Sequence, residues 1–143
     1  MRITGGNAAR RILKVPKGLA VRPTPDLVKQ AVFNSLGSRV EGARVLELFA
    51  GTGALSLECL SRGAVSAVCV EKSSRHAEVL RQNLQLAGFP TETLQVRVQD
   101  VFAALDNWSP QEPSSTWCWP TRLTVKKTLD AAPLPSPSDC WTK

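Results

Sequence analysis

The chain has 143 residues, room for one domain with a modest core, and a formal net charge of +6. It has no run of eighteen apolar residues and no apolar h-region behind its basic N-terminus, which argues against a membrane span and a signal peptide. Its four cysteines, Cys59, Cys69, Cys118 and Cys140, show neither CxxC nor Cys/His spacing, so no metal site is expected. Cys59 and Cys69 read as buried small hydrophobes in a reducing, cytoplasmic compartment.

The charge is uneven. Residues 1–44 hold nine Lys/Arg against two Asp/Glu, whereas residues 45–108 hold five against seven. The basic surplus therefore belongs to the N-terminal segment. Residues 2–22 read as irregular, broken by Gly5-Gly6, Pro16 and Gly18. Pro23-Thr24-Pro25-Asp26 then opens a helix to about Leu36, with Val28, Ala31, Val32, Ser35 and Leu36 as its expected apolar stripe and Gly37 closing it. Strands are expected at about 43–48, 66–70 and 93–98. Helices are expected at about 53–62 and 74–87, the second capped by Ser73-Ser74 and ended by Gly88, with a short one from Asp100 to about Leu105. Strand and helix alternate, which predicts an α/β fold with a parallel sheet and crossover helices.

The first strand runs into Glu47-Leu48-Phe49-Ala50-Gly51-Thr52-Gly53-Ala54, and the second ends in Glu71, twenty positions beyond Gly51. A glycine turn lets backbone N–H groups approach a ligand, and a carboxylate at the next strand end can grip ribose hydroxyls. A dinucleotide fingerprint wants a third glycine or alanine where Ser56 stands. Glu47, just before the turn, would repel a pyrophosphate but suit the sulfonium and amino group of S-adenosylmethionine. The turn thus favours S-adenosylmethionine over NAD. Asp100 is either a helix N-cap or a cofactor contact. His76 lies on a helix with no partner pattern and reads as a surface residue. Arg10, Arg11, Lys14 and Lys17 form either a solvated face or an RNA contact.

Several short motifs, in order, resemble bacterial RsmD-type methyltransferases over about residues 1–106. They are Arg22-Pro23-Thr24, Ala31-Val32-Phe33-Asn34-Ser35-Leu36, the segment Leu48 to Leu55, Leu60-Ser61-Arg62-Gly63-Ala64, Val70-Glu71-Lys72 and Asp100-Val101-Phe102. The resemblance implies a Rossmann-like S-adenosylmethionine-dependent methyltransferase fold, with the N-terminal half of the parallel sheet legible. It implies methylation of a guanine N2 in 16S ribosomal RNA, with that RNA or the small ribosomal subunit as partner and a monomeric enzyme. Glu47, Gly51 and Gly53 would frame the methionine end of the cofactor. Glu71 would hold the ribose and Asp100 the adenine amino group, with Phe49, Lys72 and Val101 as further cofactor-binding residues. Arg10, Arg11, Lys14, Lys17, Arg22 and Thr24 would face the RNA.

The same family carries Asp-Pro-Pro-Tyr after a fourth strand, where carboxylate and carbonyl position the target amine and a ring stacks on the flipped base. This tetrapeptide does not occur here. Residues 109–143 instead hold six of the ten prolines and three of the four tryptophans. Reading the codons from Ser115 to Thr124 one base over forces Val from Trp117-Cys118, Leu from Cys118-Trp119 and Ala from Trp119-Pro120. The flanking codons then permit Phe-Asp-Leu-Val-Leu-Ala-Asp-Pro-Pro-Tyr. A frameshift between about Ser109 and Ser114 is therefore expected; a Pro/Ser-rich disordered tail is the alternative. The organisation read from the chain is a basic segment and helix (1–42), half a methyltransferase domain (43–108) and an aberrant tail (109–143). The fourth strand is expected to be missing, the edge of the first to lie open, and the chain to fold poorly and be inactive. The competing functions are a non-catalytic RNA-binding fragment and a nicotinamide-dependent oxidoreductase.

Overall fold

A computed structural model of the protein describes residues 1–16 and 24–107 in full and residues 116–120 as backbone. Its centre is a four-stranded parallel sheet formed by β1 (Arg44–Leu48), β2 (Ser66–Glu71), β3 (Leu94–Val98) and β4 (Thr116–Pro120), in the order β3-β2-β1-β4. Helices α2 (Ala54–Ser61), α3 (Ser74–Leu86) and α4 (Val101–Asp106) follow the first three strands, and α1 (Asp26–Leu36) precedes them. Each expected helix and strand is present within one or two residues of its predicted ends.

The fourth strand corrects the sequence reading. Backbone of Thr116–Pro120 pairs in parallel with β1, from Arg44 opposite Thr116 to Leu48 opposite Pro120. β1 is therefore an interior strand, and the exposed edge expected for it is covered. The short apolar stretch Leu123-Thr124-Val125, too short in the sequence to fill that gap, lies outside the described residues.

Alternation along the strands divides the core. Val45, Ala67 and Cys69 face one large cluster with Leu55, Leu57, Leu80 and Leu84. Leu46, Leu48 and Val70 face a smaller cluster with Val101 and Ala104 of α4. Strands buried on both faces are what a parallel sheet between helices requires.

The N-terminal segment is more ordered than its basic composition suggests. Ile3, Ala8 and Leu13 are core residues, and an antiparallel bridge joins Arg2 to Ile12. The segment lies across α2, all eight residues of which are buried between it and the sheet. Gly6 sits at φ 77°, and a Cβ there would run into the Ser61 carbonyl oxygen. Glu58, fully buried, accepts the Thr4 and Gly5 N–H groups at 2.8 Å each, the Thr4 hydroxyl at 2.7 Å and the Arg62 Nε–H at 2.9 Å.

The face of α1 also differs from the expected stripe. Lys29, Phe33 and Leu36 are buried, while Val28 and Ala31 are exposed. The cause is the same polar clasp. Lys29 Nζ reaches Asp26 at 3.3 Å, Glu58 at 3.8 Å and the Arg2 carbonyl, so its charge is paired inside the protein. Arg62 lies 4.8 Å above the Phe33 ring. A residue pattern scored on apolarity assigns Lys29 to solvent, and the stripe shifts by one position.

Candidate cofactor site

The glycine turn between β1 and α2 lies at the C-terminal edge of the sheet, beside the end of β2. Gly51 has φ 55°, and the position a Cβ would occupy there is open space. That is the room a ligand needs to approach the turn. Gly53, at φ 72°, is the N-cap of α2, and its N–H donates to the Ala50 carbonyl at 2.8 Å. Glu71 ends β2 with its carboxylate under this turn. Oε2 accepts the Gly51 N–H at 2.7 Å, and Oε1 accepts the Ser73 N–H at 2.8 Å. A carboxylate has about four acceptor positions, so capacity for ribose hydroxyls remains.

Asp100 caps α4, accepting the Phe102 and Ala103 N–H groups at 3.0 and 3.4 Å. Lys72 reaches its other oxygen at 3.5 Å. Desolvation pushes the Asp100 pKa up, but hydrogen bonds from Ala103 and Phe102 and the Lys72 charge outweigh it and hold the carboxyl below its ordinary value. Both roles read for Asp100 from the sequence are thus compatible, since the cap and the open face share one side chain. Phe49, at φ 56° and 40% exposed, meets Phe102 edge-on with ring centroids 6.4 Å apart. Two exposed rings therefore stand where the first and third strands end.

Two expected contacts change character. Glu47 does not face the open side of the turn. It shares the Val45 face of β1, is buried, and accepts the Ser56 N–H at 3.0 Å and the Ser56 hydroxyl at 2.5 Å. The Cys69 thiol donates to Ser56 Oγ at 3.1 Å and lies 3.8 Å from Glu47. Burial raises the Glu47 pKa to about 7 against the lowering effect of Ser56. Burial, with the Glu47 charge beside it, likewise pushes the Cys69 thiol up. Glu47 is thus buried against Ser56 rather than exposed at the turn. Val101 places its side chain in the α4 cluster, which leaves its backbone as the part that can meet a ligand.

The basic residues divide as well. Arg10 is exposed at φ 72°. Arg11 donates to the Ala87 carbonyl, and Lys14 Nζ donates to Gln82 at 3.0 Å. Thr24 is half-buried. Lys17 and Arg22 lie outside the described residues.

Sequence reasoning missed three contributors. Asn83, fully buried, accepts the Lys14 N–H at 2.7 Å and donates to the carbonyls of Lys14 and Thr52 at 3.1 Å each. It ties the N-terminal segment to the glycine turn, but nothing in its sequence context marks it. Phe102, within the Asp100-Val101-Phe102 motif, presents a half-exposed ring that meets Phe49. His76, expected on the surface, has its side chain 16% exposed and its Nδ1 3.5 Å from Glu71.

The model of the family described as conserved hypothetical protein 95 matches residues 1–116. The chain belongs to this family, the RsmD family. It is 42% identical over 84 residues to ribosomal RNA small subunit methyltransferase D of Escherichia coli K12, covering 59% of this chain and 42% of that protein. A solved structure of a hypothetical protein from Thermus thermophilus superposes with a TM-score of 0.65 at 36% identity, covering 74% of this chain and 59% of that one. A candidate methyltransferase solved as a complex with SAH superposes at TM-score 0.50 and 26% identity, over 57% of this chain and 20% of that one. This chain therefore spans less than half the length of that Escherichia coli relative. The fold of this RsmD-family chain is the Rossmann-like one of methyltransferases.

Proposed function

We propose that this chain binds S-adenosylmethionine at the C-terminal edge of its sheet, as the cofactor-binding half of a methyltransferase for a guanine N2 in 16S ribosomal RNA. One observation carries the reading: the carboxylate that ends β2 takes the Gly51 N–H of the turn that follows β1, next to open space. Family membership and the relatives named for small-subunit ribosomal RNA methylation support the substrate. Glu71 would hold the ribose hydroxyls, Asp100 the adenine amino group, and the Gly51 backbone would approach the methionine end, with Phe49 and Lys72 flanking. When bound, the cofactor supplies an electrophilic methyl group. The protein would act as a monomer in the cytoplasm, with Arg10, Lys14 and the neighbouring basic residues meeting RNA phosphate.

We infer further that the chain as written does not transfer methyl groups. The Asp-Pro-Pro-Tyr tetrapeptide that would position the target amine is absent from its 143 residues. A frameshift between about Ser109 and Ser114, in the gene or in its sequencing, would account for this. Trp117, Cys118 and Trp119, whose codons give Val, Leu and Ala one base over, belong to a backbone segment paired with β1. In the shifted frame the tetrapeptide would begin where that strand ends, opposite Leu48 and one residue from Phe49. Residues 1–42, 43–108 and 109–143 would then be RNA-side segment, cofactor half and altered tail.

Calorimetric titration with S-adenosylhomocysteine and with NADH tests the cofactor. Binding of the first and not the second is expected; the reverse would move the chain to a nicotinamide enzyme. The coding DNA over codons 105–125 tests the frameshift, which fails if the shifted codons cannot spell Asp-Pro-Pro-Tyr. A non-catalytic RNA-binding role predicts RNA affinity without any cofactor affinity.

A further inference from the structure

Among the described residues, the Nε2 of His76 is a buried side-chain nitrogen with no hydrogen-bond partner. The ring stands in the first turn of α3, where the His76 N–H donates to the Ser73 cap at 3.3 Å. Its other nitrogen, Nδ1, lies 3.5 Å from Oε1 of Glu71. A buried nitrogen without a partner is a penalty that a phenyl ring of similar shape would not carry. Departures from such rules concentrate where a residue serves a site.

The surroundings of Glu71 show what that service is. Two of its donors are backbone groups on separate elements, Gly51 in the turn and Ser73 at the start of α3. They pin the two oxygens to the turn and to the helix. The His76 ring brings a side-chain nitrogen to the same carboxylate, with Nδ1 3.5 Å from Oε1 on the helix side. We propose that His76 is a positioning residue of the ribose site. With its proton on Nδ1 it fixes the plane of the Glu71 carboxylate, so that the acceptor positions left by Gly51 and Ser73 meet a ribose diol. The proposal rests on the cofactor reading above.

The test uses the full chain and two variants, His76→Phe and His76→Asn. Asparagine retains a donor near the Nδ1 position; phenylalanine fills the space without one. Each protein is titrated with S-adenosylhomocysteine and with its 2′-deoxy analogue, and each is melted. The unsubstituted chain should prefer the hydroxylated ligand. His76→Phe should lose about tenfold in affinity for S-adenosylhomocysteine and little for the deoxy analogue, while melting at an equal or higher temperature. His76→Asn should restore the preference for the hydroxylated ligand. A structural role alone would lower melting temperature and both affinities together, and that result overturns the proposal. So does an unchanged preference in His76→Phe. No binding of either ligand by the unsubstituted chain overturns the cofactor reading, and this proposal with it.

Discussion

The Glu71 carboxylate and the Gly51 amide meet at 2.7 Å across twenty residues of sequence. This contact fixes the glycine turn to the neighbouring strand before any ligand arrives, so the turn is organised from within the protein. The same carboxylate retains acceptor positions for a ligand. Turn geometry and the proposed ribose contact would thus depend on one side chain.

Glu71→Ala should therefore weaken S-adenosylhomocysteine binding by about ten- to a hundredfold, the equivalent of roughly 1.5–3 kcal/mol for a hydrogen bond to a charged group. Glu71→Gln, which retains an oxygen for Gly51 or Ser73, should lose less. Calorimetry reads both. Equal affinity in all three proteins would place the ribose away from β2.

Asn83→Ala should destabilise the fold by about 3 kcal/mol, because it leaves the Lys14 amide and the carbonyls of Lys14 and Thr52 without their partner. Limited proteolysis should then cut within residues 1–14 sooner than in the unsubstituted chain. Resistance equal to that of the unsubstituted chain would show that the segment is held without Asn83.

Glu47 makes stability depend on pH. Its folded pKa is raised to about 7 from an ordinary 4.5. Between these values the unfolded chain has released the proton while the folded chain keeps it. The contribution is complete below about pH 4.5 and is lost as pH rises toward 7, on the order of 3 kcal/mol in all. Glu47→Gln retains an acceptor for Ser56 and does not titrate. Its melting temperature should gain on that of the unsubstituted chain between about pH 4.5 and 7.5. A constant difference across that range would mean that Glu47 is ionised throughout.

Among the basic residues, Arg10→Ala with Lys14→Ala should flatten the slope of log affinity against log salt for small-subunit RNA. The expected change is about 0.7–0.9 for each phosphate that is no longer neutralised. Cofactor affinity should hold. Arg11→Ala should instead lower the melting temperature, since its guanidinium caps the Ala87 carbonyl. An unchanged salt slope would return Arg10 and Lys14 to plain surface.

Much of this arrangement was legible because it is local. Glycine turns, caps and alternating apolar runs are written within a few residues of one another, and these yielded the strands, helices and turn. The Ser73 and Asp100 caps are of this kind. What escaped was set by partners far away in the chain. Lys29 reads as polar until Glu58 arrives to pair it. Strand parity already sets Glu47 on the Val45 face, yet its burial follows from Ser56 and from Cys69, its neighbour in the sheet. β4 escaped for a different reason. Its tryptophans, cysteine and proline do not spell a strand, and parallel pairing with β1 supplies the register.

The N-terminal clasp also bears on how the chain is made. Thr4 and Gly5 pair with Glu58, Lys14 with Asn83, and Arg11 with Ala87. A ribosome releases the first of these residues well before their partners exist. At about 5–20 residues per second, some 70 residues of synthesis separate Lys14 from Asn83, a wait of roughly 4–14 s. Ile3 and Leu13 share a core cluster with residues of α2 and α3, which are made later. The clasp over α2 can therefore be complete only once the chain has been made as far as α3.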